Sequence, residues 1–121
     1  MTCTVHHIRG DRQTGKTTLA LGFLERLERT TGEPCGLYVG YSRRNAEHHC
    51  RHTSVACVGL PDLSVSTVAN RTAIAVDDCD HMDLQHAGRV VWAWRLLCEV
   101  DSPTQLVLVN WVGDFPPKWV A

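Results

Sequence analysis

The octapeptide Gly10-Asp11-Arg12-Gln13-Thr14-Gly15-Lys16-Thr17 fits the pattern G-x-x-x-x-G-K-[ST], and it constrains the chain more than any other segment. Two glycines let the backbone curl so that successive N–H groups point inward at phosphate oxygens. The lysine reaches the β- and γ-phosphates, and the hydroxyl binds Mg²⁺. All four groups are present, and Thr18 adjoins them. The segment from Gly10 to Thr18 is therefore the candidate binding set for a nucleoside triphosphate, ATP or GTP, with Mg²⁺ as its companion ion.

Such a loop carries this meaning only when a strand leads in and a helix leads out. Cys3-Thr4-Val5-His6-His7-Ile8 is short and β-leaning, and Arg9-Gly10 begins the turn. Beyond the loop, Thr18 to Thr31 reads as a helix, with Leu19, Phe23 and Leu27 recurring every four residues and Ala20 and Leu24 widening the stripe. Glu25 stands four residues before Arg29 as an exposed pair, and Gly32, followed by Pro34, is a helix stop. The helix N-terminus then directs its partial positive charge at the phosphates. Of twelve basic side chains, ten are arginine and two are lysine, Lys16 and Lys118. One of the two lysines thus falls at the position the loop requires.

Strands and helices alternate through the rest of the chain. Gly36 to Tyr41 is an apolar strand, and Ser42 caps a short helix running to about Arg51. Val55–Val58 and Val65–Ala69 are weaker strand candidates around Pro61. Ala73-Ile74-Ala75-Val76-Asp77-Asp78 is a compact strand ending in two acids. Asp83 caps a helix from Leu84 to Val100 whose stripe is Ala87, Val91, Trp94 and Cys98, with Trp92 on another face. Gln105 to Asn110 is the last strand. This interleaving predicts an α/β fold, a three-layer parallel sheet flanked by helices. At 121 residues and 44% hydrophobic content, one core and one domain are expected over residues 1–121.

The acidic strand supplies the second chemical element. An apolar strand that delivers a carboxylate to its C-terminal end brings it beside the loop, where it can serve the metal. Asp77 is assigned that role together with Thr17. Asp78 is assigned to the attacking water, although an aspartate is one methylene shorter than a glutamate, so slow hydrolysis is expected. Asn110, ending the next strand, is placed to meet the γ-phosphate or the water.

The order of loop, strand ending in Asp-Asp and strand ending in Asn resembles the additional-strand P-loop ATPases, the division that holds RecA-like and AAA-type motors. Arg12-Gln13-Thr14-Gly15-Lys16-Thr17 is similar to the Arg-Gln-x-Gly-Lys-Thr loop of the large terminase subunits of tailed phages, and Tyr38 to Ala46 looks like the strand and turn after their first helix. Terminases usually end the acidic strand in Asp-Glu, where this chain has Asp77-Asp78. The resemblance implies a miniature DNA-packaging-type ATPase core in which Arg12 lies near the γ-phosphate and Lys16, Asp78 and Asn110 complete the catalytic set. With no arginine-bearing lid in the chain, efficient turnover is expected to need a neighbouring subunit or a protein partner. AAA-type helicase loaders also show Asp-Asp and a polar residue on the next strand, and nucleotide kinases share the loop. A nonenzymatic nucleotide switch is the alternative from another class.

A net charge of −1 is unlike that of a protein that coats nucleic acid. Arg43, Arg44 and Arg51 form the one local cluster that could meet nucleic-acid phosphate. No apolar run is long enough to span a bilayer, and the N-terminus lacks the pattern of a secretion signal. The chain is expected in the cytoplasm of a bacterium, or of the host if phage-encoded, and its arginine excess suggests a GC-rich genome. Six cysteines sit mostly in apolar segments and are expected as free thiols. His48-His49-Cys50-Arg51-His52 with Cys57 fits no common zinc spacing. His6 and His7 lie in the first strand, and His81 and His86 flank the acidic strand. Residues 113–121, with Trp119 and Phe115-Pro116-Pro117, form with Trp111 an aromatic tail expected to fold back as cover for the sheet.

Overall fold

The computed structural model describes residues 2–11 and 15–120. The sequence-based assignments of Arg12, Gln13 and Thr14 lie outside the described residues. Five strands, β1 (Cys3–Ile8), β2 (Gly36–Gly40), β3 (Ala56–Gly59), β4 (Ala73–Val76) and β5 (Thr104–Val109), form one sheet in the order β1-β5-β4-β2-β3, with every pair parallel. Helices α1 (Lys16–Thr31), α2 (Arg43–Cys50), α3 (Val65–Val68) and α4 (Leu84–Cys98) connect them. The expected α/β class and parallel sheet are present.

Strand alternation divides the core in two. On one face α1 sets Ala20 and Leu24 against Tyr38, Ala73, Ala75, Val107 and Val109. On the other, Val90, Ala93 and Leu97 of α4 pack on Leu37, Ile74, Val76, Leu106 and Leu108. Truncating a side chain such as Leu24 or Leu97 to alanine costs about 2–5 kcal/mol in settings of this kind.

The first helix begins at Lys16, two residues before the expected Thr18. Gly15 takes the left-handed conformation, φ 78°, and its carbonyl accepts the first helical bond from the Leu19 N–H at 2.9 Å. The turn chemistry of the glycine sets the start, not the apolar pattern. Of the stripe read in the sequence, Phe23 and Leu27 pack against the core on the α1 face of the sheet. Ala20 and Leu24 are fully buried, whereas Leu19 is 61% exposed. Glu25 accepts from the Thr53 hydroxyl at 3.0 Å and so ties α1 to the segment before β3, a bond the expected Glu25–Arg29 pair did not foresee.

Val65–Ala69 is not a strand. Ser64 and Thr67 cap each other reciprocally, the Thr67 hydroxyl accepting from the Ser64 N–H at 2.9 Å and the Ser64 side chain accepting from the Thr67 N–H at 3.4 Å. That capping box closes one helical turn over a β-branched sequence. Ser42 and Asp83 cap α2 and α4 as expected. The last helix ends at Cys98 and not at Val100, and its most buried positions are Val90, Val91, Ala93 and Leu97. Trp94 and Trp92 are only partly buried.

The tail folds back in part. Trp111 is buried, its indole N–H donates to the Asp114 carbonyl at 3.1 Å, and Phe115 meets Trp111 and Trp94 edge-on, while Trp119 stays 53% exposed. All six cysteines are free. Among the described residues, no helix is long and apolar enough to cross a membrane.

The register aligns one end of the sheet. Ile8 lies beside Val109, Leu108 beside Val76, and Val76 beside Val39. The residues that follow these strands, Arg9-Gly10, Asn110, Asp77-Asp78 and Tyr41, therefore emerge along a single carboxyl edge, where ligands of open parallel sheets bind.

Candidate nucleotide cleft

A cleft of about 580 Å³ opens at that edge, lined by Gly15, Lys16, Thr17 and Thr18 on one side and by Asp77, Asp78 and Asn110 on another. Residues that lie up to 95 positions apart in the sequence, Gly15 and Asn110, face the same space. Topology alone explains this, because β1 feeds the loop while β4 and β5 end beside it.

Asp77 is the deepest group, 2% exposed. A carboxylate so buried is tolerable only when donors replace its water. Three do so. The Thr17 hydroxyl donates to its Oδ2 at 2.6 Å, the Tyr38 hydroxyl donates to the same oxygen at 2.5 Å, and the Asp78 backbone N–H donates to its Oδ1 at 2.9 Å. Tyr38 is reached because β2 alternation turns it to the face of α1, where Gly36 and Gly40 flank it without side chains. Burial, then the charge of Asp77, pushes the Tyr38 hydroxyl far above its ordinary range, so it acts as a donor throughout the working pH range.

The loop is braced from β5. Gly10 donates its N–H to the Asn110 Oδ1 at 3.0 Å, and Asn110 adopts φ 60°, a conformation asparagine tolerates better than most residues. Lys16 folds its ammonium back to donate to the Asp11 carbonyl. Thr18 is exposed at the rim.

Asp78 also sits in the left-handed region, φ 53°. Burial, and after it the neighbouring Asp77, raises its carboxyl above the ordinary value of 3.8. A carboxylate of this kind holds a proton more readily than an exposed aspartate, which suits a group that takes one from water.

Several lining residues fall outside the candidate site read from the sequence. Tyr41, Ser42 and Asn45 come from the start of α2, and Asp80 and His81 follow the acidic pair. Asn45 places a buried Oδ1 in this region without a hydrogen-bond partner. Tyr41 meets His81 and His86 edge-on, with ring centroids at 6.2 and 5.7 Å. Ser42 carried a sequence signal as the helix cap, and His81 one as a neighbour of the acidic strand. Among the described residues, the one group of three or more metal-ligating side chains whose ligand atoms converge within 4.8 Å is Asp78, Asp80 and His81.

No protein-family model, curated protein or solved structure matches this chain. What the cleft can do follows from its own chemistry. Thr17 and Asp77 offer two hard oxygen donors at one point, the donor type that suits Mg²⁺. Lys16 and the N-terminus of α1 supply positive charge beside them. The arginines considered for nucleic acid lie elsewhere. Arg43 grips Asp62 with two bonds at 2.9 and 2.7 Å, and Arg44 and Arg51 are exposed near opposite ends of α2.

Proposed function

We propose that this chain binds a nucleoside triphosphate with Mg²⁺ in the cleft and hydrolyses it slowly, as a minimal P-loop ATPase core of the type resembled by phage terminases. The observation that carries the reading is the 2.6 Å bond between Thr17, at the start of α1, and Asp77, at the end of β4. It joins the hydroxyl and the carboxylate that such a site would use for one metal ion. The placement of β5 between β1 and β4 agrees with the additional-strand resemblance.

In this reading backbone N–H groups of the loop, from Gly10 to Thr18, bind the phosphates, and Arg12 lies near the γ-phosphate. Lys16 leaves the Asp11 carbonyl to neutralise the β- and γ-phosphates. Thr17 would hold Mg²⁺ directly and Asp77 through water, with Tyr38 fixing the carboxylate. A metal held there would supply charge neutralisation for the phosphates. Asp78 orients the attacking water and takes its proton, and Asn110 keeps the first glycine of the loop in place. No further arginine lines the cleft among the described residues, so fast turnover calls for one from a second copy or a partner.

One observation favours a second reading, a nucleotide-binding switch without hydrolysis. The Asp78 carboxyl lies in a group with Asp80 and His81 and is shorter than a glutamate. A single-turnover experiment separates the two. With protein in excess over Mg·ATP, the ATPase releases inorganic phosphate in proportion to bound nucleotide, and the switch returns intact ATP.

A further inference from the structure

A second groove, of about 480 Å³, runs along α1 beside β1, on the flank of the loop away from Asp77. Gly15 and Thr18 line both spaces, so the groove continues the phosphate cleft past the first turn of the helix. Its floor is the stripe Thr18, Leu19, Gly22 and Phe23, which fall three and four residues apart on one face. Its wall is Ile8 at the end of β1, and Arg26 stands at the far end.

Three features call for a ligand here. Leu19 is 61% exposed although it belongs to the apolar stripe. Gly22 leaves open space, since a Cβ built there would have no atom within 4 Å. The groove begins at Gly15 and Thr18, where it joins the phosphate cleft, so a nucleotide with its phosphates on the loop can extend its sugar and base into it. Phe23, with the His6 ring tilted against it at 5.5 Å, gives an aromatic surface on which such a base can stack.

We infer that this groove takes the base and sugar of the nucleotide whose phosphates lie on the loop. The assignment rests on the phosphate-loop reading above. Leu19, Ile8 and Phe23 bury the base, Gly22 admits it, and Arg26 offers donors to acceptor atoms on its edge.

The test measures calorimetric affinities of Mg·ATP, Mg·GTP and Mg·tripolyphosphate for the wild type, Gly22→Leu and Leu19→Ser. Leucine at position 22 fills the groove and is a better helix residue than glycine. Leu19→Ser alters an exposed position outside the two cores. The better nucleotide is expected to bind the wild type about tenfold or more tightly than tripolyphosphate, Gly22→Leu to remove about tenfold of nucleotide affinity, and both variants to keep tripolyphosphate within about twofold. Leu19→Ser is expected to weaken the nucleotide about threefold. Equal wild-type affinity for tripolyphosphate and both nucleotides overturns the inference. So does unchanged nucleotide binding in both variants, or an equal loss of all three ligands. If none of the three binds the wild type, the phosphate-loop reading itself fails.

Discussion

The Tyr38 hydroxyl donates to the Asp77 Oδ2 at 2.5 Å, from the middle of β2 to the end of β4. The same oxygen accepts from Thr17. Tyr38→Phe keeps the ring and removes one of three donors from a carboxylate that is only 2% exposed. Urea unfolding is expected to show a loss of about 1–3 kcal/mol. Because Thr17 serves the same atom, the double variant Tyr38→Phe/Thr17→Ala should depart from additivity, and a strictly additive cycle would contradict the shared-acceptor account.

Asp78 gives a pH dependence with a definite sign. Its carboxyl is raised by burial and by Asp77. The stability a raised carboxyl contributes is complete below its ordinary value of 3.8 and is lost as pH climbs through the raised one, so ionised Asp78 is a burden at neutral pH. Asp78→Asn tolerates the same left-handed backbone. Its melting temperature should exceed that of the wild type at pH 7, with the difference shrinking as pH falls into the carboxylate range. A difference independent of pH would show that charge is not the cause.

Two glycine-to-alanine changes should act in opposite directions. A Cβ at Gly59 would lie 2.5 Å from the Arg43 N and 2.7 Å from its Cα, where β3 passes the start of α2. Gly59→Ala must push α2 away and is expected to cost about 3 kcal/mol or more. A Cβ at Gly88, inside α4, meets nothing within 4 Å, and Gly88→Ala should stabilise by about 0.5–1 kcal/mol. Chemical denaturation of both variants checks the pair, and a stable Gly59→Ala would refute the close approach.

Asn110→Ala removes the acceptor of the Gly10 N–H, bonded at 3.0 Å, and leaves β5 intact. The loop loses its brace on the sheet, and affinity for Mg·ATP is expected to fall about fivefold, the equivalent of one ordinary hydrogen bond. Equilibrium titration reads this directly. Asn110→Asp, which keeps an acceptor oxygen but adds negative charge near the phosphates, should weaken binding further.

Most of the sheet was legible because strands buried on both faces read as short apolar runs. Ala73–Val76 and Leu106–Val109 are of this kind. Asp77 and Asn110 stood out because a polar residue ended each run. Tyr38 did not, since in a continuous apolar strand nothing in the sequence tells which face a residue takes or what lies opposite. The turn at Val65–Val68 was hidden because its helix is decided by two side chains bonding locally, against the β preference of its valines. Leu19 was misread as core because a helical stripe has a period but no absolute phase until the sheet fixes which side is covered. Asn45 reaches the cleft through tertiary placement, and Asp80 and His81 because they follow Asp77 and Asp78 out of β4.

The central claim is that the loop and Asp77 together bind a nucleoside triphosphate with Mg²⁺. The most direct measurement is a titration of Mg·ATP into the wild type, Lys16→Ala and Asp77→Asn, repeated with Mg²⁺ removed by chelation. Saturable binding by the wild type is predicted, abolished in Lys16→Ala and weakened both by Asp77→Asn and by chelation. Absence of binding to the wild type, or undiminished binding to Lys16→Ala, would contradict the account.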